Sequence, residues 1–186
     1  MYLLFGKFCN LLFIVSSAFR VFAIKLLNPY VKIGSSCTVE EGVSFEPKRR
    51  GTVEIGDHTN LRRYCMITPL GGYIKIGSHC SVNAFTIIHG SGGVVIGNNV
   101  LIAPHCMIVS QNHVFENPNL TIREQGVVNG KIVICDDVWI GAGVKILAGV
   151  TISRGCVIAA NSVVTKDTDP WGVYAGVPAK LIKSRK

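Results

Sequence analysis

Large apolar residues recur along this chain with a period of six. They fall at Ile33, Val39 and Phe45, at Ile55, Leu61 and Ile67, at Ile76, Val82 and Ile88, and at Ile96, Ile102 and Ile108. After a break the series resumes at Ile134 and runs through Ile140, Ile146, Ile152, Ile158 and Val164 without slippage. Four places after the large residue a smaller one recurs: Cys37, Val43, Thr59, Cys65, Cys80, Thr86, Val100, Cys106, Val138, Val144, Val150, Cys156 and Ser162. Glycine often follows the large residue directly, as at Gly56, Gly77, Gly97 and Gly141, which suits tight turns between very short strands.

Three hexads make one coil of eighteen residues, and a single coil cannot bury its apolar side. The pattern therefore predicts stacked coils starting at 33, 55, 76, 96, 134 and 152, with short insertions at 51–54, 73–75 and 94–95. Each fully buried aliphatic side chain contributes roughly 1.5–3 kcal/mol, so six layers can support themselves. The fold class is all-β, a single-stranded parallel β-helix. Residues 114–133 break the repeat, and a long excursion from a rigid scaffold points to function.

A different pattern precedes the repeat, so the chain divides into an apolar helical segment, residues 1–30, and a β-helix domain, residues 31–186. The first 27 residues are apolar, yet the longest charge-free run extends only from Phe8 to Phe19, short of the about 20 residues a spanning helix needs. Lys7 precedes an apolar run as in a signal peptide, but Arg20 and Lys25 follow it and no small-x-small cleavage site appears. Lys7, Asn10, Ser17, Arg20 and Lys25 gather on one side of a helical wheel, as in a helix lying on a membrane surface or against another subunit.

Composition narrows the chemistry. Charged residues make up only 16% of the chain and glycines number 20, which favours strands and turns. A net charge of +8 suits nucleic acid, an anionic membrane or a phosphorylated ligand equally, so location must decide. Of the seven cysteines five occupy the small position of the hexad and none forms a C-x-x-C pair, which points to buried packing. His58, His79 and His105 take the fourth place of their hexads and face solvent or a neighbour, with His79 and His105 the best candidates to line an interface; His89 follows an inward isoleucine.

From Val138 to Lys183 the sequence VWIGAGVKILAGVTISRGCVIAANSVVTKDTDPWGVYAGVPAKLIK resembles the carboxy-terminal signature of the hexapeptide-repeat acyltransferases, among them galactoside, maltose and surface-polysaccharide O-acetyltransferases. The resemblance extends over about residues 31–183. It implies a left-handed β-helix, a homotrimer with active sites at subunit interfaces, acetyl-CoA as co-substrate, a carbohydrate acceptor, and neither a metal nor nucleic acid. His113, where the repeat gives way to the excursion in IVSQNHVFENPN, matches the histidine that removes the acceptor's proton. A sugar hydroxyl is a poor nucleophile near neutral pH, and a positioned imidazole contributes about 10² to 10⁴ in rate as general base. Asn83, in SVNAF, resembles the acceptor-binding asparagine of a YAN segment, and an amide both donates to and accepts from hydroxyls; a turn asparagine is the alternative.

For the donor, Ala142 and Ala160 match small positions along the pantetheine arm, Thr165 and Lys166 match the TK that meets the nucleotide end, and Lys183 falls where relatives carry a basic residue for the CoA phosphate. Trp139 is also explained as a cap on the coil edge. The galactoside and maltose enzymes carry an acceptor-binding acid in an amino-terminal helical segment, and the apolar start with NPYVKIG replaces it here. The expected reaction is therefore O-acetylation of a lipid-linked or nucleotide-linked sugar in O-antigen or capsule biosynthesis, in the cytoplasm or peripherally at the cytoplasmic face of the inner membrane. Two alternatives stay open, an amino-sugar N-acetyltransferase acting on a nucleotide sugar and a non-catalytic β-helix scaffold. A zinc hydratase resembling the gamma-class carbonic anhydrases fits poorly, since His105 and His113 are eight apart and no H-x-x-x-x-H pair exists.

Overall fold

The computed structural model of the protein describes residues 2–46 and 51–186, and side chains from Val15 onward. Helix α1, Tyr2–Leu27, leads into a parallel β-helix of three faces. The first face stacks strands 31–33, 52–55, 73–76, 94–96, 132–134 and 151–152. The second stacks 38–39, 60–61, 81–82, 101–102, 139–140 and 157–158, and is extended by a hairpin of 172–175 with 180–184. The third stacks 44–45, 66–68, 87–89, 107–109, 145–146 and 163–164.

Strands of two to four residues survive because each coil hydrogen-bonds the next in strict register, as in Leu101 with Ser81 below and Trp139 above. The hexad supplies the core. Seventeen of its eighteen large residues are buried, Ile67, Ile88, Ile108, Ile134, Ile140 and Ile152 completely, while Phe45 on the first coil is half-buried. The stretches expected as insertions at 51–54, 73–75 and 94–95 are instead part of the first face. Val53, Ile74, Val94 and Ile132 form a second inward ladder beside Ile55, Ile76, Ile96 and Ile134, all four at 0% exposure. The repeat accordingly resumes at Ile132, and the excursion occupies 111–130, opening with an antiparallel pair of Gln111–His113 and Val127–Asn129.

Of the five cysteines at the small place of the hexad, Cys65, Cys80, Cys106 and Cys156 are buried, while Cys37, on the first coil, is half-buried. Burial pushes the Cys65 thiol up to about 11 and raises those of Cys80 and Cys106, so they stay protonated. At the corners the backbone turns through positive φ, and equivalent corner residues stack coil on coil. His58 lies over His79 with ring centroids 4.8 Å apart, and Trp171 lies against Gly155, where an added Cβ would meet the ring at 2.2 Å.

Both ends of the ladder are closed. On the first coil Val39 points its backbone groups away from the stack, and α1 satisfies them: the Val39 N–H donates to Ser17 Oγ at 2.9 Å, and Arg20 Nη1 donates to the Val39 carbonyl at 3.4 Å. Ser17 is buried, and Val21 and Ile24 pack on the core beside it. The polar side of the wheel therefore turns toward the β-helix at Ser17 and Arg20, while Lys7 and Asn10 lie outside the described side chains. At the other end the Thr168 N–H donates to Thr151 O, the Val163 N–H donates to Gly176 O and the Ala179 N–H donates to Val163 O.

Candidate functional site

The expected site residues sit on two different edges of the prism. The second corner, between the second and third faces, carries Asn83 on coil three, Ala142 on coil five and Ala160 on coil six. The third corner, where the third face returns to the first, carries His113 on the arm leaving coil four, and Thr165 and Lys166 after strand 163–164 of coil six. One strand of the third face with its flanking residues separates the corners, about 15 Å at about 3.3 Å per residue. Lys183 lies on the carboxy-terminal hairpin, opposite Val173 on the second face.

His113 is exposed, paired through its backbone with Val127, and among the described residues nothing in the chain hydrogen-bonds its imidazole. The arm that carries it is also held locally. Thr121 caps the short helix α2, Ile122–Gln125, in a reciprocal capping box with Glu124, and Gln125 accepts from the Asn117 N–H and donates to Asn117 O and Leu120 O. Phe115, Leu120, Ile122, Val127 and Val128 are all exposed on this arm.

The second corner has a shape that the hexad alone does not reveal. Tyr64, Phe85 and His105 stack on successive coils, at 5.3 Å and 5.1 Å between centroids. On coil five the ladder stops at Gly143, φ +70°, where an added Cβ would meet Asn161 Oδ1 at 2.3 Å. Ala142 and Ala160 are exposed alongside, so the aromatic bulk over coils two to four gives way to small side chains over coils five and six. Lys145 Nζ donates to Gly143 O at 3.0 Å beside them. Thr165 and Lys166 are exposed, and the following Asp167 accepts from the Thr151 N–H at 2.7 Å, which makes part of the TKD segment a structural clamp.

Asn83 is partly committed, since its Nδ2 donates to Ile102 O at 2.7 Å. Below it, on coils one and two, lies a group that sequence reasoning missed. Glu40 is 7% exposed, accepts from Arg62 Nη1 at 2.6 Å and from the Arg63 N–H at 3.1 Å, and lies 3.7 Å from Arg63 Nε. Two half-exposed guanidiniums thus share one buried carboxylate beneath the asparagine. The signal was the adjacency of Arg62 and Arg63 at the hexad places just after Leu61.

Concavities of the single chain, about 570 Å³ over the first face at Lys32, Glu54 and Lys75 and about 390 Å³ over the second at Leu101, Trp139 and Arg185, are not lined by His113, Asn83 or the two alanines. Trp139 is exposed on the second face between Leu101 and Val157. No group of three or more His, Cys, Asp or Glu that could hold a metal occurs among the described residues.

Residues 131–166 match the family described as bacterial transferase hexapeptide (six repeats). The chain is 34% identical over 119 residues to the putative lipopolysaccharide biosynthesis O-acetyl transferase WbbJ of Escherichia coli, covering 60% of this chain and 61% of that one. Among solved structures, the AntD N-acyltransferase of Bacillus cereus, in complex with dTDP-4-amino-4,6-dideoxyglucose and coenzyme A, superposes with TM-score 0.75 at 25% identity over 87% of this chain and 88% of that one. The hexapeptide-repeat-containing acetyltransferase VCA0836 of Vibrio cholerae superposes with TM-score 0.54 at 31% identity, over 83% of this chain and 74% of that one. The chain spans about half or less of the length of the curated relatives that match first, 56%, 42% and 34% of them. From the coil register on either side of the excursion, the signature after Val138 and these likenesses together, the chain belongs to the hexapeptide-repeat acyltransferase family, whose β-helix is left-handed.

Proposed function

We propose that the protein transfers an acetyl group from acetyl-CoA to a hydroxyl of a sugar, at a site formed where the second corner of one copy meets the third corner of the next. The observation that carries this reading is the split of the candidate residues between two edges at matching heights. Asn83 and His113 belong to coils three and four, and Ala142, Ala160, Thr165 and Lys166 to coils five and six. Coils rise by about 4.8 Å, so the acceptor asparagine lies about 14 Å below Ala160, a span suited to an extended pantetheine arm descending past the two small alanines. Copies packed edge to edge by one repeated rotation close a ring, and the family's trimer is the natural closure.

In this site the His113 imidazole takes the hydroxyl proton as the sugar oxygen attacks the thioester carbonyl carbon. The tetrahedral oxyanion then collapses, the carbon–sulfur bond breaks, and the departing thiolate receives the proton, leaving an acetyl ester and free CoA. Ala142 and Ala160 leave room for the arm, and Thr165, Lys166 and Lys183 meet the nucleotide end, where lysine supplies charge without a bidentate fork. The Arg62 and Arg63 pair below Asn83 favours an acceptor that carries phosphate, as lipid-linked and nucleotide-linked sugars of surface polysaccharide assembly do. The likeness to AntD favours a second reading, in which the same base serves an amine of a nucleotide sugar.

The test is free thiol release from acetyl-CoA with a panel of phosphorylated sugars bearing either hydroxyl or amine acceptors. Turnover with hydroxyl acceptors, and loss of about 10² to 10⁴ in kcat for His113→Ala, are expected. Turnover with amines alone would select the second reading, and no thiol release with either would leave the scaffold.

A further inference from the structure

We propose that the outward side of α1 lies in the surface of an anionic lipid bilayer and seats the β-helix on its amino-terminal end. The two sides of this helix are chemically inverted relative to an ordinary surface helix. Ser17, Arg20, Val21 and Ile24 face the first coil, where the serine and arginine close its open backbone edge. The side turned away from the protein carries Val15, Phe19, Phe22 and Leu26, 58%, 69%, 62% and 69% exposed. Their spacing of four, three and four residues makes one continuous apolar stripe. Two phenylalanines and two aliphatic residues in water on one stripe are a liability unless something covers them.

Charge selects the covering. No acidic residue occurs before Glu40, while Lys7, Lys25 and Lys32 precede it, besides the Arg20 that faces the first coil. A segment with cations only, beside an apolar stripe, matches the headgroup boundary of a membrane containing anionic lipid, where the stripe enters the acyl boundary and the lysines meet phosphate. The helix lies along the surface and does not cross it. Its stretch from Ser17 to Ile24 is committed to the β-helix. Among the described residues no helix is long and apolar enough to cross a membrane.

The experiment is flotation of the full-length protein with vesicles of phosphatidylcholine alone or mixed with phosphatidylglycerol, without acetyl-CoA or acceptor, so that its outcome is independent of any acyl transfer. The protein should float with the mixed vesicles and markedly less with phosphatidylcholine. The double variant Phe19→Glu/Phe22→Glu, which leaves the seated side intact, should weaken binding at least roughly tenfold while its melting temperature is unchanged. Should that variant prove unfolded, Phe19→Ser/Phe22→Ser is measured in its place with the same expectation. Failure of the wild type to float with anionic vesicles overturns the proposal, as does equal flotation of the folded variants. A lipid-free assembly that the substitutions dissolve, with no vesicle binding by the wild type, would assign the stripe to a second copy of the chain instead.

Discussion

His89 shows how one side chain reports on the coil around it. It ends the third-face strand Ile87–His89, half-buried, and burial holds its imidazole below the ordinary value of 6.5, with Glu46 pulling weakly the other way. The unfolded chain then binds the proton more readily than the folded one. His89 therefore contributes stability above about pH 6.5 that is lost as pH falls through the folded value. Melting temperature should decline on acidification from pH 7 to pH 5, and His89→Gln should flatten that slope; an unchanged slope would assign the acid sensitivity elsewhere. At this scale the sequence was most legible where a side chain points inward, because a hexad place dictates apolar character whatever the neighbouring copy does. It was least legible at corner places. Tyr64, Phe85 and His105 share a register but not a residue type, and only the stacking of their rings shows them to be one surface.

Among elements, α1 departs furthest from its sequence pattern. Amphipathicity assigns its polar side to water, yet Ser17 and Arg20 supply the hydrogen bonds that a missing coil would have made to Val39. Periodicity cannot distinguish a polar residue bound for solvent from one bound for an unpaired backbone. Replacing Ser17 with alanine leaves the Val39 N–H without a partner in a buried position and should cost about 1–3 kcal/mol, read as a lower denaturation midpoint at unchanged m-value. The first-face strands were misread for a related reason. Val53, Ile74, Val94 and Ile132 add a second inward residue to the first-face strands, and a fixed period of six registers such an addition as an interruption. The arm from Gln111 to Asn129 was legible as a break, but its antiparallel start was not, since Gln111, Asn112 and His113 carry no apolar alternation.

For the whole molecule the question is how many chains make one site. If the second corner and the third corner act across copies, two inactive variants damaged on opposite edges should rescue each other. His113→Ala spoils one edge and Ala160→Trp the other. Unfolding and refolding them together at equal amounts should regenerate about a quarter of the wild-type sites, because each junction needs one sound edge from each side. Recovery at the level of either parent alone would mean that one chain holds the full site. Stacked coils also have a cost that compact folds avoid. Every layer offers the next a ready-made template of N–H and C=O groups, and nothing in the register itself says where stacking stops. In this chain the stopping points are supplied from outside the repeat, by Ser17 and Arg20 below and by the hairpin after Thr168 above. A copy whose lower seal is dislodged bares the Val39 backbone edge as a place where another coil can add, so the same segment that we assign to lipid also caps the stack.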